Sequence, residues 1–268
     1  MSRQNRLLAI LCVLLLVTLV MFIVLISFEP RGVTEETTSP DVTSPPEGDE
    51  PIELTVPDVI FKSGLSEYEQ YMDANDEKYL ILINKTSVID AKFKPEELVS
   101  VKDARKSIEL SRTAEMALEA MFKEMRANGF DNVFVTSAYR SYDYQVSLFN
   151  TYIDQERQRG LSYEAAKEKV LTYSALPGTS EHHTGLAVDL MTDSMTELDE
   201  SFADDPVYGW LLENAWKFGF ILRYPADKVN ITGYSFEPWH YRFVGRYHAY
   251  MIHEQGLCLE EYLEKISG

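Results

Sequence analysis

The sequence predicts an α+β fold with a central, largely antiparallel sheet flanked by helices. Helical and extended patterns alternate irregularly, without the strand-helix-strand rhythm of a doubly wound parallel sheet. No internal repeat divides the chain. Of its 268 residues, the first fifty-odd do not read as globular, which leaves roughly 210 for one folded unit with an ample core.

The stretch Leu7–Phe28 is apolar apart from Thr18 and Ser27, about twenty residues and long enough to cross a hydrocarbon layer as a helix. It runs on into Ser27-Phe28-Glu29-Pro30 with no small-residue cleavage signal, so residues 1–28 read as a cytoplasmic stub and an uncleaved signal anchor. Cys12 does not make a lipid-attachment signal, because Leu11 stands where a small residue is needed. Arg3 and Arg6 precede the span and acids dominate after it, so the bulk of the chain is expected outside the cytoplasm. Residues 29–57, rich in Pro, Thr, Ser, Glu and Asp, cannot bury enough apolar area to offset their chain entropy and read as a disordered extracytoplasmic linker. Residues 58–268 form the expected folded domain.

Within that domain, Tyr79-Leu80-Ile81-Leu82-Ile83 reads as a buried strand. Ser111 reads as the N-cap of a helix whose Ala114, Ala117, Leu118, Met121, Phe122 and Met125 recur at helical spacing up to Gly129. A short strand, Asn132–Thr136, then delivers Ser137-Ala138-Tyr139-Arg140-Ser141. Tyr142 to Tyr173 reads as two helices broken near Gly160, Leu186–Met191 as a strand, Val207–Phe218 as an amphipathic helix closed by Gly219, and Tyr241–Val244 as a last strand. The two cysteines are Cys12, inside the expected span, and Cys258, so an intrachain disulfide is excluded by the expected topology. A formal charge of −18 argues against nucleic acid as a partner, because phosphate binding needs Lys and Arg clusters.

The chemistry concentrates in Ser180-Glu181-His182-His183-Thr184-Gly185-Leu186-Ala187-Val188-Asp189 and Glu237-Pro238-Trp239-His240. A catalytic zinc takes three protein ligands and keeps one position open. His182 or its neighbour His183, with Asp189 and His240, can supply them. Gly185 permits a bend that returns His182 above the strand face carrying Asp189. A hydrolase of this kind also needs a carboxylate that is not a ligand, to take the proton of the attacking water. Glu237 is placed for that, with Pro238 forcing a turn or bulge before His240. Phe236 and Trp239 are expected to wall the site. His248 and His253 have no carboxylate at useful spacing and read as surface or packing histidines.

Ser180-x-His182-x-x-Gly185-x-Ala187-x-Asp189 with Glu237-x-x-His240, preceded by Ser137-Ala138-Tyr139-Arg140-Ser141-x-x-x-Gln145, resembles the zinc D-alanyl-D-alanine carboxypeptidases of the VanY type and their dipeptidase relatives. Tyr79–Lys85, Asn214–Phe220, Arg223-Tyr224-Pro225 and Thr232–Arg242 extend the likeness. The resemblance implies the fold shared by these peptidases and the hedgehog signalling domain, with Zn2+ held by His182, Asp189 and His240 and Glu237 as the general base. It implies Arg140 as the active-site arginine, binding either the terminal carboxylate or the developing oxyanion, and Gln145 and Ser180 as hydrogen-bonding partners of the substrate.

The activity so implied is removal of the terminal D-alanine from peptidoglycan stem peptides at the bacterial membrane. An L,D-carboxypeptidase trimming tetrapeptide stems would use a closely similar constellation. A non-catalytic, zinc-stabilised binding module is the reading from a different class, and Glu237 beside a full ligand set argues against it.

Overall fold

A computed structural model describes residues 55–268, all within the unit Glu53–Gly268. The expected anchor and the linker up to residue 54 lie outside the described residues. No helix among the described residues is long and apolar enough to cross a membrane.

Among the described residues, six strands form in two sheets. A small antiparallel pair joins β1 (Leu98–Ser100) to β2 (Glu109–Ser111). The central sheet contains β3 (Val133–Ser137), β4 (Ala187–Thr192), β5 (Phe220–Leu222) and β6 (His240–Phe243) in the order β3-β4-β6-β5. Every neighbouring pair in it is antiparallel, as expected for the α+β class.

Side-chain alternation splits this sheet into two chemically different faces. Val133 and Val135 of β3, Val188 and Leu190 of β4, and Tyr241 and Phe243 of β6 join the main core. That core is closed by α1 (Arg112–Ala127), whose Ala114, Ala117, Leu118, Met121, Phe122 and Met125 are all buried at the predicted spacing. The intervening residues Asp189, His240 and Arg242 turn to the opposite face, where they are buried but polar. Removing apolar surface from water on one face, at about 25 cal/mol per Å², thus fixes the registry of the polar groups on the other.

Helices α2 (Tyr142–Gln158) and α3 (Tyr163–Val170) break as expected around Gly160, which takes φ +101°. Each starts at a serine that accepts from a backbone N–H three residues on, Ser141 from Tyr144 and Ser162 from Ala165. Helix α4 (Pro206–Asn214) is capped by Asp205 and gives way to a 3-10 turn over Ala215–Phe218. The predicted helix Val207–Phe218 therefore finishes in a tighter winding. Gly219 at φ +83° ends that winding so that Phe220 can enter β5 beside Phe243, and a Cβ at Gly219 would lie 2.7 Å from the Phe243 ring. Two C-terminal helices, α5 (Arg246–Gln255) and α6 (Leu259–Ser267), pack with Leu80, Trp216, Ile221 and Val244 in a second cluster.

The predicted strand at Tyr79–Ile83 is not formed. Glu77–Leu80 is a 3-10 turn and the following residues are irregular. The Arg242 guanidinium accounts for this, since its Nη2 donates to both Tyr79 O and Ile81 O and so satisfies carbonyls that a strand would have offered to a neighbour. Ser111 stands at the N-cap position of α1 as expected, but its side chain makes no cap hydrogen bond and its backbone closes β2.

Candidate metal centre and active site

Cross-strand registry builds the centre. Asp189 on β4 lies directly opposite His240 on β6 and, across the other edge, opposite Ser137 of β3. The β3–β4 register shifts between Val135 and Ser137, a bulge that ends regular pairing where β3 hands over to Ala138, Tyr139 and Arg140.

His182 reaches Asp189 from a 3-10 turn, Glu181–Thr184, that stops at Gly185 with φ +67°. Only glycine adopts this backbone at little cost, and a Cβ here would sit 3.2 Å from Leu98 and Pro95.

The donor atoms of His182, Asp189 and His240 all lie within 4.8 Å of one another, and all three residues are buried. His182 Nε2 is 3.2 Å from Asp189 Oδ2, and His240 Nδ1 is 3.2 Å from Asp189 Oδ1. Yet His182 Nε2 and Asp189 Oδ1 make no hydrogen bond and are shielded from solvent. Buried polar atoms are rarely orphaned, and two of them converging beside a third donor are what a cation would satisfy. The residues therefore fit a metal.

The remaining ring nitrogens are fixed from behind. His182 Nδ1 is 2.7 Å from Ala138 O; a carbonyl can only accept, so Nδ1 carries the proton and Nε2 keeps its lone pair. His240 places Nε2 3.3 Å from Glu181 Oε2, which leaves Nδ1 toward Asp189. Outer partners of this kind set tautomer and ring orientation in metal sites.

Burial, aided by the Arg140 charge, lowers the His182 pKa to about 4, so its ring is neutral at physiological pH. Burial raises the Asp189 carboxyl, but the adjoining His182 and His240 outweigh it and hold the group well below its usual value. For His240, burial opposes the charged form, whereas Asp189, Glu181 and Glu237 around it prevail and raise its pKa well above the usual value.

Glu237 leads into β6 through a turn closed by His240 N–H donating to Glu237 O at 3.1 Å. Its Oε2 comes 3.3 Å from His240 Nδ1, and the carboxylate stays partly open to solvent. It is thus beside the cluster without belonging to it.

Arg140 follows β3, tied by its N–H to His182 O at 3.2 Å. Its Nη2 is 3.8 Å from Asp189 Oδ2, Nη1 donates to Gln145 Oε1 at 3.0 Å, and Nε is buried without a partner. Gln145, on the first turn of α2, is fully buried and donates through Nε2 to Ala175 O. These contacts hold Arg140 in place. Ser180 is buried at the head of the His182 turn and its side chain makes no cap bond there.

His183 is excluded as a ligand. Its Nδ1 lies 2.7 Å from Arg140 O, its Nε2 accepts from Gly178 N–H, and its ring stacks on Tyr142. His248 contacts the Tyr262 hydroxyl and His253 stacks on Trp216, packing roles as expected. Phe236 packs on Tyr208, and Trp239 is half-buried against the main core.

The site also contains a residue that sequence reasoning passed over. Glu181 has no exposed side-chain surface and pairs with Arg223 and Arg242 as well as His240. Burial would raise its carboxyl, but the two guanidinium groups hold it far below its ordinary value. An acid next to a histidine gives no signal in sequence; Arg223 and Arg242, two basic residues within apolar strand patterns, were the available one.

Residues 107–246 match the family described as VanY, D-alanyl-D-alanine carboxypeptidase. Among curated proteins, a D-alanyl-D-alanine carboxypeptidase of Enterococcus faecalis is 41% identical over 184 residues, spanning 69% of this chain and 65% of that protein. Thus the chain spans just under two thirds of that relative. Among solved structures, the vancomycin-resistance D,D-pentapeptidase VanY of the VanB-type cassette, a mutant in complex with Zn(II), aligns at 39% identity and TM-score 0.60 over 70% of this chain and 99% of its own. The LD-carboxypeptidase LdcB aligns at 34% identity and TM-score 0.63 over 73% of this chain and 95% of its own.

Proposed function

The chain belongs to the VanY family of D-alanyl-D-alanine carboxypeptidases, and from that premise we propose that it is a zinc-dependent D,D-carboxypeptidase that hydrolyses the terminal D-Ala-D-Ala bond of peptidoglycan stem peptides. The observation that carries this reading is the convergence of His182, Asp189 and His240, two of their donor atoms buried and unpartnered, with the Glu237 carboxylate alongside. The cofactor is Zn2+. A VanY relative has been solved with Zn(II), and another, VanYB, with D-alanine-D-alanine.

His182 would hold the ion through Nε2, Asp189 through its carboxylate and His240 through Nδ1. When bound, zinc supplies a Lewis acid that polarises the scissile carbonyl and lowers the pKa of an attacking water. Glu237 takes the proton of that water on its Oε2 side and returns it to the amine of the departing D-alanine, so one carboxylate serves as base and then acid. Arg140 stands 3.8 Å from a ligand carboxylate, close to where the carbonyl oxygen gains charge, and its guanidinium stabilises that oxyanion. Gln145 keeps the guanidinium in place. Ser180 supplies a hydroxyl at the edge of the His182 turn for the peptide backbone. The apolar run Leu7–Phe28 supports anchoring in the bacterial membrane, with this domain on the extracytoplasmic side.

The likeness to LdcB favours one second reading, an L,D-carboxypeptidase. Incubation of the purified protein with synthetic tri-, tetra- and pentapeptide stems, followed by identification of the released amino acid, decides between the two. Release of D-alanine from the pentapeptide but not the tetrapeptide is expected. Release from the tetrapeptide alone would establish the L,D reading instead.

A further inference from the structure

Beneath the candidate metal centre lies a second layer of charge that the proposed reaction does not use. Arg223 follows β5, and Arg242 faces inward from β6; both are completely buried. Glu181 Oε1 accepts from Arg223 Nε at 2.8 Å and from Arg242 Nη1 at 2.5 Å, while Oε2 lies 3.3 Å from His240 Nε2. The far side of Arg223 is gripped by α6, where Glu260 accepts Nη1 on Oε2 at 2.8 Å and Nη2 on Oε1 at 2.7 Å. Asn84 donates to the same Glu260 Oε1.

Four charges are thus paired in a line, Glu260 to Arg223 to Glu181 with Arg242 alongside, and the line ends on the ring of His240. The paired Arg–carboxylate fork is the most directional of protein ion pairs. Its planarity fixes where the Arg223 guanidinium stands, hence where Glu181 stands and how His240 is turned. Desolvating four charged groups is costly, and apolar packing of similar volume is often no less stable. Glu260 lies beyond residues 107–246, the part of the chain that matches the family.

We propose that Glu260, acting through Arg223 and Glu181, positions His240 for zinc, so that the C-terminal helix α6 is a working part of the metal centre. Glu181 and Glu260 are positioning residues, since neither reaches the ion's side of His240. The inference rests on the metal reading of His182, Asp189 and His240.

The test is zinc affinity, measured on the full chain in mild detergent by competition with a chelating dye, for wild type, Glu181→Gln, Glu260→Gln and Glu261→Gln, alongside thermal unfolding of each metal-free protein. Glu261 is the internal control. It sits on the same helix, accepts from Cys258 N–H at the helix start and pairs with Lys228, so its loss weakens α6 without touching Arg223. Outer partners of metal ligands contribute about 10–100-fold in affinity. Glu181→Gln is expected to fall in that range, Glu260→Gln to lose roughly tenfold, and Glu261→Gln to keep wild-type affinity while unfolding at lower temperature. If Glu181→Gln does not fold, Glu260→Gln against Glu261→Gln decides. Wild-type affinity in folded Glu260→Gln, or an equal loss in Glu261→Gln, would overturn the proposal. Failure of the wild-type chain to bind zinc would overturn the metal reading itself, a distinguishable result.

Discussion

Glu237 and His240 are three residues apart and have opposite requirements. The histidine must be desolvated and held, whereas the carboxylate must be close, unbound and reachable by water; the turn at Pro238 and Trp239 lets the chain meet both. Glu237→Gln should therefore lower kcat by at least about 10²–10⁴-fold while zinc content, read by atomic absorption, stays at one per chain. His240→Ala should lose both zinc and turnover. Arg140→Ala should lower kcat by roughly 10²–10³-fold with zinc retained, and steady-state kinetics separate that from an effect on KM alone. At this scale the clustering of His182, Asp189 and His240 was legible because few residue types can bind zinc and five histidines leave few combinations. Residue chemistry alone left His182 and His183 open and the family resemblance selected His182; the coordinates supply the physical reason, namely which ring nitrogens Arg140 O, Gly178 N and Ala138 O already occupy. Glu181 was illegible for a related reason: its partners lie 42 and 61 positions away.

Among the elements, the bend that carries His182 is the one on which the site's geometry turns. Gly185→Ala places an L residue in the left-handed region at a cost of about 1–2 kcal/mol and pushes a methyl against Leu98 and Pro95. A fall in Tm of roughly 2–8 °C with weakened zinc binding is expected by scanning calorimetry and chelator competition. An unchanged Tm would mean the turn relaxes freely. Helices with strong periodicity, such as Arg112–Ala127, were readable because their pattern records one buried face. The segment Tyr79–Leu80–Ile81 misled because an apolar run with β-prone residues looks the same whether a strand or a distant guanidinium takes its carbonyls. The β1–β2 pair was not foreseen, its strands being three residues each.

Among the described residues, His182, Asp189, His240, Glu181, Arg223 and Arg242 are buried together, and that gives stability a definite dependence on pH. His182, lowered from 6.5 to about 4, refuses a proton that the unfolded chain accepts, so stability falls as pH drops from about 6.5 toward 4. Asp189 and Glu181, both depressed, contribute stability above the unfolded carboxylate range of about 4 that is lost as pH falls through and below it. His240, raised, contributes fully below 6.5 and its share is lost only as pH rises through its folded value. The metal-free domain should thus show a Tm that declines steadily from pH 6.5 to 3, and a flat profile would contradict the assigned protonation states. The proposal of one zinc ion shared by His182, Asp189 and His240 is tested most directly by anomalous diffraction at the zinc edge from crystals of the Glu237→Ala protein. The account predicts a single peak about 2.0–2.2 Å from His182 Nε2, a carboxylate oxygen of Asp189 and Nδ1 of His240. A peak at His183, at Nε2 of His240, or away from these residues would contradict it.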